Sequence, residues 1–269
     1  MKDVVIAILA KDKAYCLDFY LNCIYNQDFD KNRIHLYIRT NDNTDNTEEI
    51  LETFIQEYGS EYASVYYNNE SINEAIKNDK EHDWTYERLD IMAKVRQESI
   101  EYTKEKGAHY FVVDCDNFIV SDTLTSLYNA RKIGVVAPLL KLTKHNYYGN
   151  LHSKVCENGY MDPDEKYYLD IIFGDIKGKI MVDLVHCTYF IDNSLLDDVE
   201  YDDGTQRMEY VMFSDVLRKK GIPQYIDNTK FWGFLALLDC DYGYAKDEWQ
   251  KFIHDNWQSE YLEMMGYES

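Results

Sequence analysis

Tyr110-Phe111-Val112-Val113 runs without a break into Asp114-Cys115-Asp116-Asn117-Phe118. The apolar stretch reads as a central strand buried on both faces, and the polar residues behind it mark its end. In an open α/β sheet, ligands bind beyond the carboxyl ends of the strands. Two carboxylates one residue apart at such an end can share a hard cation through oxygen and leave its other positions to a substrate diphosphate. The cation then offsets charge that builds on a leaving group. Mn2+ and Mg2+ both suit such oxygen ligands. Asp114 and Asp116 are therefore the candidate metal ligands. The pattern alone is weak, because a chain with 49 Asp and Glu offers many chance pairs in solvated loops. Its position directly behind a buried strand singles this one out.

Upstream, strand and helix alternate. Val4 to Ala10 is a continuous apolar run, again a strand buried on both faces. The spacing of Cys16, Phe19, Tyr20, Cys23 and Ile24 predicts a helix over Tyr15 to Tyr25. Ile34 to Ile38 reads as a second strand, Asn43 to Thr47 as a polar turn opening a helix to Tyr58, and Ser64 to Tyr67 as a third strand. This βαβαβ order belongs to a nucleotide-binding half with a parallel sheet. Asn69 to Asp83 is polar and reads as a loop. A long helix is expected from Tyr86 to Lys106, stopped by Gly107 as its C-cap. Further strands are expected over Val135 to Leu140 and Leu184 to Ile191, a helix over Met208 to Lys220, and a tail helix over Lys246 to Met265. Lys141 to Lys179 shows little periodicity, and the chain has no internal repeat.

At 269 residues the chain can bury a sizeable core. It contains no run of the roughly 18 apolar residues that a membrane helix needs. Asp3 within the basic opening, and the shortness of Val4 to Ala10, argue for a strand rather than a signal peptide. With no leader or retention signal, the chain as it stands reads as cytoplasmic; the endoplasmic reticulum lumen follows only if it is cut from a longer chain. A net charge of -21 excludes nucleic acid as a partner and permits a basic polypeptide, solubility being the plain alternative. Six cysteines without CxxC or zinc spacing read as reduced, buried thiols.

Several segments, in order, carry a resemblance. Ala7-Ile8-Leu9-Ala10-Lys11 opens the chain, and Thr40-Asn41-Asp42-Asn43-Thr44-Asp45-Asn46-Thr47 follows with Glu49-Ile50. Then come Trp84 with Arg88, Lys94-Val95-Arg96-Gln97, and the run from Phe111 to Phe118. Val136-Ala137-Pro138, Tyr148-Gly149-Asn150, Val185-His186-Cys187-Thr188 and Gly233-Phe234-Leu235 complete the set. Over roughly Val4 to Leu238 the chain resembles the collagen hydroxylysine glycosyltransferases: the procollagen galactosyltransferases and, more distantly, the glycosyltransferase domain of the multifunctional lysyl hydroxylases. The resemblance implies an α/β, GT-A-like Rossmann-type fold with a mostly parallel central sheet, its DxD holding Mn2+ against UDP. It implies transfer of galactose or glucose from a UDP-sugar to hydroxylysine or galactosyl-hydroxylysine of a collagen-like polypeptide. One domain is expected over 1–269, with a nucleotide-binding half over about 1–120, an acceptor half over about 121–240 and the tail helix over about 241–269. Two departures stand out. Met208-Glu209 occupies the place of paired acids, and Phe231-Trp232-Gly233 stands where the family can carry a metal-binding His, with His254 only further on.

Each remaining candidate has a plainer alternative. Ala7, Leu9 and Cys115 are nucleotide-contacting positions implied by the resemblance. Asp42 and Asn43 follow a strand and would touch uridine or ribose, or merely form a helix N-terminal turn. Trp84 offers a flat face to a pyranose, or packs in the core. Lys94 and Arg96 would balance phosphate charge, or form a solvated helix face. His186, on an apolar strand, is more readily a core histidine than a ligand contact. Glu209 is the candidate acid beside the acceptor, a base if the anomer is inverted and a sugar-polarising group if it is retained. Asp203 follows it, then Asp202, a charged surface turn being the alternative for both. Two other functions compete: a GT-A transferase acting on another glycan or a lipid-linked acceptor, and a degenerate, non-catalytic collagen-binding domain. The oligomeric state is open, and a homodimer is compatible with the sequence.

Overall fold

The computed structural model describes residues 2–72, 85–142, 148–162 and 165–235. The expected tail helix, His254, Trp84 and most of the Asn69–Asp83 loop lie outside them. The first strand, β1 (Val4–Ala10), shows why the fold forms. Val4, Ile6, Ile8 and Ala10 point into one apolar cluster, while Val5 and Ala7 point into another. A strand buried on both faces needs a layer on each side. Helices α1 (Ala14–Tyr25), α2 (Thr47–Tyr58) and α4 (Thr123–Ala130) supply Leu17, Tyr20, Leu51, Phe54, Leu124 and Leu127 to the first cluster. Helices α3 (Tyr86–Lys106), α5 (Glu165–Phe173) and α6 (Glu209–Lys219) supply Ala93, Ile100, Ile171, Phe213 and Leu217 to the second.

The remaining strands are β2 (Ile34–Thr40), β3 (Ser64–Asn68), β4 (His109–Val113), β5 (Asn117–Ile119), β6 (Val135–Pro138), β7 (Lys141–Leu142), β8 (Leu151–His152), β9 (Lys179–Val182), β10 (Leu184–Val185), β11 (Thr188–Ile191), β12 (Gln224–Asp227) and β13 (Gly233–Leu235). The central sheet has eight strands in the order β3-β2-β1-β4-β11-β6-β12-β9. β3, β2, β1 and β4 are parallel, as are β6 and β12, whereas β11 and β9 run against their neighbours. This is an α/β domain with a mostly parallel sheet, as expected. The chain winds from β1 outward to β3 and returns to β4 on the other side of β1. The switch point therefore lies between β1 and β4, where such sheets bind ligands. Two small sheets, β10-β8 and β5-β13-β7, accompany the central one.

Several boundaries correct the sequence reading. The expected strand Leu184–Ile191 is two strands in different sheets, because Cys187 takes a left-handed φ of 65° and breaks the run. The Val135–Leu140 strand stops at Pro138. The stretch without periodicity holds α5, and α4, β9 and β12 were not anticipated. Of the cysteines, Cys16, Cys23 and Cys115 are buried thiols outside any disulfide, but Cys156 is exposed. Gly107 does close α3 in the left-handed conformation, at φ 62°.

Candidate active site

β1, β2 and β4 run parallel, so their carboxyl ends share one edge of the sheet, and the acidic pair sits there directly behind β4. The Asp114 N–H donates to the Cys187 carbonyl (3.0 Å), and the Asp114 carbonyl accepts from Asn117 N–H (2.9 Å), which fixes the turn. Both carboxylates are met by cations from other elements. From α3, Arg96 Nη2 donates to both Asp114 oxygens, at 2.9 and 3.1 Å. From the loop after β1, Lys13 Nζ lies 3.1 Å from Asp116 Oδ2. The Arg96 Nε donates to Glu209 Oε1 (3.1 Å), so one guanidinium joins β4's end to the first residue of α6. Glu209 is buried, and among the described residues neither its Oε2 nor Arg96 Nη1 has a hydrogen-bond partner. A carboxylate in the first turn of a helix also gains from the helix dipole.

The electrostatics follow from burial. Burial lowers the Arg96 pKa, but the Asp114 and Glu209 carboxylates outweigh it and hold the guanidinium well above its ordinary value. Burial raises the Asp114 carboxyl; Arg96 opposes this only in part, and Asp116 and Glu209 add repulsion. The Cys115 thiol, pushed far up by burial, stays protonated. It donates to the Leu9 carbonyl (3.5 Å), and the Cys115 carbonyl accepts from Cys16 Sγ (3.3 Å). Cys115 thus points between β1 and α1.

The other candidates fall into distinct places. Ala7 is wholly buried in the middle of β1, opposite Tyr37 and Val112, and Leu9 packs partly buried near its end. The Asn43 side chain accepts from Asp12 N–H (2.9 Å) and donates to Thr40 Oγ1 (2.6 Å), locking the loop after β2 to the loop after β1. Asp42, at φ 48°, accepts from Ser71 Oγ (2.6 Å) and Ile72 N–H (3.1 Å), while its carbonyl accepts from Lys11 Nζ (3.2 Å). Lys94 is exposed, on a different face of α3 from buried Arg96, since residues two apart on a helix do not share a face. Gln97, next in the motif, accepts from Tyr201 N–H (3.1 Å) and ties α3 to the segment before α6. Asp203 pairs with Arg207 (2.6 Å), which also binds Asp215 (2.7 Å), and Asp202 caps Gly204 N–H (2.8 Å). Both acids therefore belong to the turn leading into α6.

His186 is buried, and burial lowers its pKa to about 3, so its imidazole is neutral at pH 7. Its ring packs on Tyr210 at 5.1 Å and lies near His152 and Tyr148, at 5.9 and 6.0 Å. Fully buried Asn150 holds this wall to β6: its side chain accepts from Leu140 N–H (2.8 Å) and donates to the Pro138 carbonyl (2.9 Å). Its carbonyl accepts from His186 N–H (3.1 Å). Sequence reading missed Lys13, Tyr210 and His152. Lys13 lies two residues past the quoted opening segment, and nothing local signals a partner 103 positions away. Among the described residues no group of three or more His, Cys, Asp or Glu assembles as a metal nest. What exists is an oxygen pair, the donor set that suits Mg2+ or Mn2+ when substrate phosphates and water complete the shell. Among the described residues no helix is long and apolar enough to cross a membrane.

The model of the glycosyltransferase family 25 N-terminal domain matches residues 1–256. Procollagen galactosyltransferase 2 of Mus musculus is 26% identical over 263 residues, covering 93% of this chain and 41% of its own length. Inactive glycosyltransferase 25 family member 3 of Mus musculus is 24% identical over 261 residues, covering 93% and 43%. The chain thus spans about two fifths of the length of these relatives. Among solved structures, S. aureus TarS superposes with a TM-score of 0.57 at 14% identity, over 88% of this chain and 37% of that one. Its 1–349 form in complex with UDP-GlcNAc gives 0.55 at 14% identity, over 87% and 58%. At such identity the likeness concerns the fold.

Proposed function

The chain belongs to glycosyltransferase family 25, and from that premise we propose that it transfers a hexose from a UDP-sugar to hydroxylysine or galactosyl-hydroxylysine of a collagen-like polypeptide, with Mn2+. The observation that carries the reading is the Asp114/Asp116 pair at the switch-point edge, beside the loop that follows β1. The procollagen galactosyltransferases among its relatives favour the acceptor. Asp116 and Asp114 would hold Mn2+, or Mg2+, which when bound neutralises charge on the departing nucleoside diphosphate. Because Arg96 already takes both Asp114 oxygens, Asp116 is the more available ligand.

The protein's own groups do the rest. Arg96 holds Asp114 and Glu209 at a set spacing. Glu209 keeps one oxygen anchored on Arg96, and the other, buried and without a hydrogen-bond partner among the described residues, would receive the acceptor's hydroxyl proton once the acceptor reaches it. If the anomer is retained, the same oxygen binds or polarises the sugar. Asp42 and Asn43 shape the rim for uridine or ribose. His186, neutral, forms part of an aromatic wall for the sugar or acceptor with Tyr210 and Tyr148. Trp84 and Lys94 remain candidates for the donor, and Asp203 for the acceptor side. The test offers a hydroxylysine peptide and a galactosyl-hydroxylysine peptide each with UDP-galactose and UDP-glucose, with Mn2+ present. A glycosylated peptide by mass spectrometry is expected for one pairing. UDP release without peptide product points to another acceptor. No release with any donor favours a non-catalytic binding domain, a second reading supported by Met208 in the place of an acid and by the inactive relatives.

A further inference from the structure

We infer that Lys13 is a displaceable placeholder for the divalent cation at Asp116, and that once displaced it binds the donor's diphosphate. The inference rests on the proposed function, in which Asp116 takes a metal. Both carboxylates of the pair are neutralised by protein cations, but not equivalently. Arg96 is buried and pinned at two ends, to Asp114 and to Glu209. Its planar fork serves both carboxylates at once. The Lys13 ammonium, on a stem of rotatable bonds, has Asp116 Oδ2 at 3.1 Å and Tyr15 Oη at 3.3 Å among its contacts.

Its backbone, by contrast, is fixed. The Lys13 N–H donates to Thr47 Oγ1 (2.7 Å), and its carbonyl accepts from Cys16 and Leu17 N–H (both 3.0 Å), capping α1. Only the side chain can swing, and it swings from a point at the ligand edge of β1. A divalent ion arriving at Asp116 repels the ammonium in a partly buried site where Coulomb forces are weakly screened. The displaced ammonium would then be at hand for the donor's diphosphate. A lysine point charge suits phosphate oxygens. The device keeps two adjacent carboxylates compensated before the metal enters, and keeps a cation at hand for the diphosphate afterwards.

The inference predicts opposite signs for one substitution. In Lys13→Met, which keeps the stem and removes the charge, Mn2+ without nucleotide should bind roughly tenfold tighter, the scale of one charge-assisted hydrogen bond. UDP affinity at saturating Mn2+ should fall by a similar factor. Lys13→Arg, a control for local packing, should keep Mn2+ affinity near wild type. The measurements are free-Mn2+ titration by electron paramagnetic resonance and UDP calorimetry, on the full chain. Unchanged or weaker Mn2+ binding in Lys13→Met overturns the placeholder role. Tighter Mn2+ with unchanged UDP affinity overturns the diphosphate role. A wild-type chain that binds neither Mn2+ nor UDP removes the metal reading itself, and the inference with it.

Discussion

Arg96 divides its guanidinium between Asp114 at the end of β4 and Glu209 at the start of α6. Its own segment was legible in the sequence as part of Lys94-Val95-Arg96-Gln97, but its partners lie 18 and 113 positions away, and no local pattern encodes them. The same distance problem hid Lys13. Replacing Arg96 by Ala would leave two carboxylates facing each other without their cation. Breaking a buried pair in this way costs about 3–5 kcal/mol, so Arg96→Ala should lose stability on that scale in a urea titration. Glu209→Gln makes a different prediction. The amide keeps the shape and can still accept from Arg96, but it cannot take a proton. Loss of a general base costs about 10²- to 10⁴-fold, so turnover should fall in that range while calorimetric UDP affinity stays within twofold or so. If UDP affinity falls with turnover, Glu209 belongs to the donor site; if turnover holds, Asp203 is the next candidate.

Long, regular elements were readable and short ones were not. β1, α2 and α3 announce themselves by continuous apolar runs or by clear helical stop signals such as Gly107. β9 and β12 have four residues each, too few to define a period, and β12 carries Gln224 and Asp227. The break at Cys187 was invisible because Val185-His186-Cys187-Thr188 reads as strand throughout; only the left-handed backbone of Cys187 separates β10 from β11. That break sets the Cys187 carbonyl against the Asp114 N–H, so an unforeseen element boundary shapes the site. β13 makes a second such contribution. It pairs with β5, Leu235 opposite Asn117 and Gly233 opposite Ile119. Gly233 has φ 121°, and a Cβ there would overlap the Phe118 carbonyl. Gly233→Ala must therefore prise β13 from β5. We expect a loss of roughly 3 kcal/mol or more, at the severe end for single substitutions, read as a shifted urea midpoint. An unchanged midpoint would mean that β13 does not support the turn after the acidic pair.

The whole molecule shows a pH signature in its histidines. Burial lowers His109 and His152 to about 4 and His186 to about 3, below an ordinary value of 6.5. Below pH 6.5 the unfolded chain takes up protons that the folded chain refuses, so folding stability falls as the pH is lowered. The loss should run from about pH 6.5 down to the folded values, with a slope approaching three protons, and urea midpoints at pH 7 and pH 5 should show it. Equal midpoints would contradict the burial of these rings. The α/β class and the parallel run of β3, β2, β1 and β4 were legible at this scale, since alternation of long elements fixes them. The antiparallel entries of β11 and β9 were not, because strand direction depends on connections that no periodicity reports. The family and the edge position of Asp114 and Asp116 are the grounds for the proposed metal-assisted transfer from a UDP-sugar. Its most direct test is UDP release from UDP-galactose and UDP-glucose by the wild type and by Asp116→Ala, in Mn2+ and after chelation. The wild type should release UDP from at least one donor in Mn2+ and none after chelation, and a folded Asp116→Ala should release none in either condition. Undiminished release in chelator, or near wild-type release from folded Asp116→Ala, would contradict the metal-assisted reading.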